Sequence, residues 1–560
     1  MKTERNVPAE MRDGTILRAD IFRPNGRGPY PVLVMRTPYN KKGRRFERYV
    51  DAGYIVVCQD ARGRFQSDGE WESFVRFDTH DAEDGYDTVE WAAKLPGSTG
   101  KVGTFGSSYN AFLQWRTASL RPPSLVAMAA ISITAKYTDL EGPGAIRLGR
   151  RLKWWFTSMT PDLRRKHGRE GNHSKAAALR QWNAGDGKKW LNFLPWSDLP
   201  QEAFEEETEA VQHWMRHPHF DPWQLDADAR NTAVPNFDIL GWYDHCNGDM
   251  AMFQEIRSNG RTKTARHDSQ LIVGPWSHHA RGQAGYGNIR FGSKASFDLD
   301  AAQIRWFDYW LKGKRNGVDA DSPVRIFIMG DNQWRDEAEW PPKRAESFAL
   351  NLTSSGNANT PRGDGQLTAE KASPAAADSY VYDPRKPVPS LHGPALFTIP
   401  TDQRPLSKRK DILVYQTEPL TERIEVTGNP VVEFHAESSA ADTDFFVRLI
   451  DVAPNGMARD VSLGMVRARY RNGLDKPRLL KPGQIVKYTI RMGPTANAFR
   501  PGHRIRLDIS SSDFPNYDRN HNTAVDQNSD AELVSATQTI HHGGRRSSRI
   551  LLPRVPNEAT

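Results

Sequence analysis

Lys101-Val-Gly-Thr-Phe-Gly106-Ser107-Ser108-Tyr109-Asn110-Ala111-Phe112 is the stretch on which the reading of this chain turns. It starts as a short apolar strand over 101–105 and runs into a helical pattern over 112–120, with serine at the junction. A serine between strand and helix, with a small residue two positions before it, is the nucleophile-elbow pattern, in which a strained turn presents the hydroxyl at the sheet edge. Gly106 occupies the crowded strand-side position. The glycine usually found two residues after the serine is replaced by Asn110, so the generic G-x-S-x-G pattern is incomplete.

Around this segment, residues 1–140 alternate short apolar runs at 31–35, 54–59, 101–105 and 125–133 with helical patterns. Near-continuous apolar strands separated by helices predict a parallel sheet covered on both faces. The helical pattern over 79–95 carries Asp81, Glu83 and Asp84 near its start, where acidic groups suit the helix dipole. From 141 to 231 the strand pattern stops and the text turns helical and basic, with Trp154, Trp155, Trp182, Trp190, Trp196, Trp214 and Trp223. An inserted helical cap is expected there. Strands resume at 236–240 and 270–273, followed by an amphipathic helix over 299–311 and the stop Lys312-Gly313.

The expected fold is therefore an α/β domain over 1–140 and 232–315, a helical cap over 141–231, and an all-β, jelly-roll-like sandwich over 316–560. The sandwich reading rests on short alternating segments such as 324–328, 431–435, 444–450 and 504–509, punctuated by turn residues. The Ser, Gly, Ala, Asn and Thr-rich stretch 353–378 reads as a surface loop or linker.

Composition excludes several classes. A chain of 560 residues suits three to four domains of about 150 residues each. Its aromatics, 16 of them tryptophan, supply ample surface for a core. No window approaches 18 uncharged apolar residues, so no membrane partner is expected. The opening Met1-Lys2-Thr3-Glu4-Arg5-Asn6 has no apolar stretch behind it and predicts a cytoplasmic protein. Net charge of +8 is a weak field at this length, and no nucleic-acid-binding module accompanies the basic runs. Cys58 and Cys246 are too few for a disulfide framework and read as reduced thiols. His213, His217 and His219 have partial metal-ligand spacing, but Pro218 breaks the helix and no thiolate or carboxylate completes a set, so neither metal nor other cofactor is expected.

Gly106-x-Ser108-Tyr109 followed by Ala111 resembles the elbow of the cocaine esterase and X-prolyl dipeptidyl peptidase family of α/β-hydrolases, which typically carries glycine where this chain has Ala111. Three further motifs are similar and fall in the same order. Arg36-Thr37-Pro38-Tyr39 resembles the segment whose tyrosine hydroxyl forms half of the oxyanion hole. Gly241-Trp242-Tyr243-Asp244 resembles the strand end bearing the triad acid, and Gly274-Pro275-Trp276-Ser277-His278 the loop bearing the catalytic histidine. The resemblance implies Ser108 as nucleophile, Asp244 and His278 as its partners, and an oxyanion hole of the Tyr39 hydroxyl and the Tyr109 backbone N–H. Chain order Ser, Asp, His at successive strand ends agrees with this. Ser107, His279 and Asp249 are the rivals set aside.

The expected activity is hydrolysis of a small-molecule carboxylic ester or amide. X-Pro dipeptidyl peptidases and α-amino-acid ester hydrolases or acylases of the same family are the alternative. They must bind an ammonium group, for which Asp139, Glu141 and the acidic run 202–209 are candidates, although each reads more simply as a solvated charge. A carbohydrate or protein binding module with a degenerate hydrolase domain is the non-enzymatic alternative. Trp154 and Trp155 are candidate pocket residues, and a homo-oligomer is left open.

Overall fold

A computed structural model describes residues 1–73, 79–142, 144–217, 219–246, 250–370, 375–393 and 398–557. Pro218, Asp249 and part of the 353–378 stretch lie outside the described residues, as do the side chains of Glu141 and Trp214.

The strands that position the site are β1 (Lys2–Glu10), β2 (Ile16–Arg23), β3 (Tyr30–Thr37), β4 (Ile55–Asp60), β5 (Ser98–Ser107), β6 (Leu125–Ile131), β7 (Phe237–Gly241) and β8 (Gln270–Gly274). They lie in the order β1-β2-β4-β3-β5-β6, then β7-β8, with parallel pairing from β4 through β6 and between β7 and β8. Asn236 joins the two halves. Its side chain accepts from Ala130 N at 2.8 Å and donates to Ala130 O at 3.3 Å, in place of a regular ladder.

Alternate strand residues enter two separate cores, as a sheet covered on both faces requires. Val32, Val34, Ile55, Val57 and Val102 pack with Val89, Leu113 and Trp115 of the helices Asp81–Ala93 and Tyr109–Ser119. Leu33, Met35, Val56 and Phe105 pack with Trp306 and Phe307 of the helix Leu299–Lys312. That helix starts on an Asp298 side-chain cap and stops at Gly313 in the left-handed region.

Between β6 and β7 the chain runs through short helices, from Tyr137–Glu141 to Leu225–Asn231. Trp155, Trp182, Trp190 and Trp196 fill this insertion's interior with Phe156 and Phe204. Beyond the Leu299–Lys312 helix, strands from Glu346–Thr353 to Arg549–Val555 form the β-sandwich, with pairing that is almost entirely antiparallel. Arg467 docks the sandwich on the insertion: it pairs with Asp444 and Asp518 while donating to Gly144 O at 2.7 Å.

Two expectations are corrected. Val324–Ile328, read as sandwich, pairs in parallel with β8 and extends the hydrolase sheet. Only Arg325 faces water in it, so the apparent alternation was one charge in a strand otherwise buried on both faces. Within 353–378, read as loop, Gln366–Thr368 is a strand and Ala376–Tyr382 begins another. Asp378 there is buried, accepting from the Tyr415 hydroxyl at 2.7 Å and bonding His542 at 2.9 Å. Among the described residues no helix is long and apolar enough to cross a membrane.

Candidate active site

Ser108 sits between β5 and the helix Tyr109–Ser119 with φ +61° and ψ −126°, a conformation that costs a non-glycine residue roughly 1–3 kcal/mol. The surroundings hold it there. Its N–H donates to Ile131 O at 3.0 Å, and its carbonyl accepts from Ala111 N at 2.8 Å and Phe112 N at 3.0 Å. Gly106 has φ +134°, and a Cβ on it would come within 2.7 Å of Asn110 Cβ. The side chain at 110 therefore fits only because 106 has none, which explains how the elbow forms with its second glycine missing. Ser107 closes β5, whereas half-buried Ser108 stands on the turn.

Asp244 and His278 come together from loops that follow adjacent parallel strands. Beyond β7 and β8 the backbones stay zipped, with Trp242 N donating to Gly274 O and Tyr243 N to Trp276 O, both at 2.9 Å. This approach demands the two glycines: a Cβ on Gly241 would lie 2.1 Å from Trp276 O, and one on Gly274 2.4 Å from the Trp276 ring. Trp276 is itself pinned by donation to Ala295 O at 2.9 Å. The Asp244 carboxylate is buried and accepts from His278 Nδ1 at 2.8 Å and from Cys246 N at 2.9 Å. His279, the alternative in the same loop, is exposed.

Residues without a sequence signal complete the setting. Arg281 lies 3.5 Å from the second Asp244 oxygen and donates to Ser132 Oγ at 2.8 Å, tying the acid to the end of β6. Tyr243 donates to Asp460 O and accepts from Arg459, both at 2.8 Å, so the sandwich braces the acid's loop across more than 200 residues of sequence. Burial works to raise the Asp244 pKa, but His278, Arg281 and the Cys246 N–H overcome it and hold the carboxyl well below its ordinary range. Burial lowers the His278 pKa against the opposing pull of Asp244, and Arg281 and Arg150 add to the lowering.

Tyr39 follows β3 and meets the elbow from the other side. Burial raises its phenol pKa, offset in part by hydrogen bonding to Trp154 and to the Ser108 side chain. The hydroxyl accepts from Trp154 Nε1 at 3.2 Å, which leaves its proton to donate elsewhere. Its ring packs edge-on against Tyr109, the first residue of the elbow helix, with centroids 6.4 Å apart. Of the two candidate pocket tryptophans, Trp154 thus touches the site, while Trp155 is 1% exposed and belongs to the cap interior. The acidic run divides: Glu202 and Glu209 are exposed as expected, whereas Glu205 and Glu207 are not. Glu207 is buried and accepts from Trp71 Nε1 and Ser73 Oγ, both at 2.9 Å, and Glu205 is buried against Arg164 at 2.7 Å. The spaced histidines His213 and His217 pack ring to ring, with centroids 4.8 Å apart.

A strained serine at the C-terminal end of a central parallel strand, with a buried Asp–His pair borne by later strand ends, defines an α/β-hydrolase, here with a β-sandwich appended. The model of the X-Pro dipeptidyl-peptidase S15 family matches residues 13–280, and that of the X-Pro dipeptidyl-peptidase C-terminal non-catalytic domain matches 316–551. The chain is 35% identical to the cocaine esterase of Rhodococcus sp. (strain MB1 Bresler), over 98% of each chain. An α-amino acid ester hydrolase structure superposes with TM-score 0.79 at 25% identity, covering 99% of this chain and 96% of that one. An aminopeptidase from a marine sediment Thaumarchaeota archaeon superposes at 0.81 and 24% identity, covering 99% and 97%, and shares the fold. The protein belongs to the cocaine esterase and X-prolyl dipeptidyl peptidase family of serine hydrolases.

Two consequences are measurable. Tyr39→Phe removes the hydroxyl that meets Ser108 and, on the oxyanion role proposed below, should lower kcat by roughly 10²- to 10³-fold with KM little changed, since such a donor acts on charge that develops in the transition state. Steady-state kinetics on an activated ester check this, and unchanged kcat would take Tyr39 out of the site. The lowered His278 pKa keeps the imidazole neutral below the ordinary 6.5. A base must be neutral to accept a proton, so on the role proposed for His278 below the acid limb of kcat/KM should fall below pH 6.5 and activity should disappear only as pH drops through it. A limb above 6.5 would contradict this assignment.

Proposed function

We propose that the chain hydrolyses small-molecule carboxylic esters through an acyl-enzyme on Ser108. His278 takes the Ser108 proton at Nε2 as the hydroxyl attacks the carbonyl, because Nδ1 is committed to Asp244. Asp244 fixes that tautomer and stabilises the imidazolium. The oxyanion accepts from the Tyr39 hydroxyl and the Tyr109 N–H, and His278 returns the proton to the leaving alkoxide. Water, deprotonated by the same imidazole, then releases the acid and regenerates Ser108. The 2.8 Å bond between His278 and the buried Asp244 carries this reading, since that pair has no packing role that an apolar pair would not fill more cheaply.

A second observation favours esters over amine-bearing substrates. The cap charges that reach the triad are positive: Arg150 acts on His278 and His245, and Arg151 on Tyr39. An ammonium group would be repelled there. Glu205 and Glu207 are already engaged with Arg164 and Trp71, which leaves Asp139 of the insertion, in the cavity wall with Asp244 and His245, as the acidic candidate facing that space. The sandwich serves as a brace, through Tyr243 and Arg459, for the loop that bears Asp244. A panel of p-nitrophenyl esters, amino-acid esters and X-Pro anilides tests the reading. The simple esters should rank first by kcat/KM, and a preference for either of the other classes would overturn it.

A further inference from the structure

Directly after Asp244, the chain places two groups that the proposed chemistry does not use, the imidazole of His245 and the thiol of Cys246. Their donor atoms, together with those of Asp244 and His278, all lie within 4.8 Å of one another, and all four residues are buried. The His245 and His278 rings are 4.3 Å apart between centroids, and His245 Nδ1 is 3.6 Å from Asp244 Oδ1. In a tetrahedral zinc site, metal–nitrogen and metal–oxygen bonds of about 2.0–2.2 Å and a metal–sulfur bond of about 2.3 Å set neighbouring donors roughly 3.3–3.8 Å apart. Small side-chain rotations close the remaining gap.

We propose that Asp244, His245, Cys246 and His278 form a binding site for a thiophilic divalent cation, zinc above all, that switches the hydrolase off. The inhibition rests on the triad assignment above; the binding does not.

The donor chemistry selects the ion. Two imidazoles, a carboxylate and a thiolate suit zinc and disfavour magnesium or calcium, which take oxygen ligands. Binding releases the Cys246 proton to solvent, and the resulting thiolate and carboxylate neutralise the ion's two charges. The loaded site is therefore neutral, one charge more positive than the empty one but not a net cation beside Arg281 and Arg150. A route exists as well: a cavity of about 540 Å³ between the hydrolase domain, cap and sandwich is lined by Asp244 and His245, together with Trp242, Met250 and Tyr517. Capture of either His278 nitrogen removes the base, because ligation at Nε2 blocks the proton acceptor and ligation at Nδ1 breaks the bond to Asp244.

The test uses the full-length enzyme in a non-chelating buffer. Zinc chloride should inhibit ester hydrolysis reversibly, with activity restored by EDTA. Cys246→Ser should raise the inhibiting concentration by about 10- to 100-fold, the scale on which even indirect partners of a bound metal matter. Independently of turnover, one equivalent of cobalt(II) should produce a near-ultraviolet sulfur-to-cobalt charge-transfer band in the wild type. Cys246→Ser should lack that band, and His245→Gln should keep it at weakened affinity. Circular dichroism shows that each variant is folded. Absence of the band from the wild type, or equal zinc sensitivity of wild type and Cys246→Ser, would overturn the site. A band without inhibition would overturn the switch. A band in a protein inactive on every ester would leave the metal site standing and reject the esterase reading instead.

Discussion

Ser108→Ala should reduce kcat on an activated ester by about 10⁶-fold, the scale of loss when the nucleophile of a serine triad is removed, while the protein keeps its fold. Structural reasons make this substitution a clean probe. The bonds that hold the elbow run through the backbone of Ser108, from its N–H to Ile131 O and to its carbonyl from Ala111 and Phe112, and an alanine can make all of them. The strain at φ +61° persists in the variant, so stability should change by little. Single-turnover and steady-state rates against thermal unfolding curves separate the two quantities. A folded variant that retains more than about a thousandth of the wild-type rate would remove Ser108 from the proposed role, and an unfolded one would contradict the backbone account of the elbow.

Asp244→Asn should lower kcat by about 10⁴-fold, roughly 5.5 kcal/mol of transition-state stabilisation, with geometry preserved. The carboxylate accepts from His278 Nδ1 and from Cys246 N through the same oxygen. An amide in its place keeps one acceptor but loses the charge, and its NH₂ group favours the wrong imidazole tautomer, with the proton on Nε2. In the wild type His278, Arg281 and the Cys246 N–H hold this carboxyl ionised far into acid. Part of the lost rate should return above neutral pH, where hydroxide can replace the missing base, whereas the wild-type rate should stay level there. A loss below tenfold would mean that Asp244 does not orient the base.

Much of this site could be read from local sequence because its parts are backbone devices. Gly106 before Ser108, and Gly241 and Gly274 beside Trp276, are positions where the chain approaches itself too closely for any Cβ, so they show as glycines in fixed register. The buried strands β3 to β6 were equally plain as apolar runs. What was hidden depends on contacts between distant segments. Arg281 and the Tyr243–Arg459 pair carry no local pattern, since a surface salt bridge would look the same in sequence. The hairpin of β1 and β2 went unread because β1, Lys-Thr-Glu-Arg-Asn-Val-Pro-Ala-Glu, is an exposed edge strand whose charges suppress alternation. Val324–Ile328 misled in the opposite way, as one arginine imitated a half-solvated strand. Glu205 and Glu207 looked like surface charge because their partners, Arg164 and Trp71, lie 41 and 136 residues away.

Covalent trapping addresses the central claim most directly. Folded protein treated with a fluorophosphonate and digested should carry one phosphonyl group, on the peptide containing Ser108, and excess substrate should protect it. An adduct on Ser107 or elsewhere, or none on protein that still turns over esters, would contradict an acyl-enzyme at the turn between β5 and its helix.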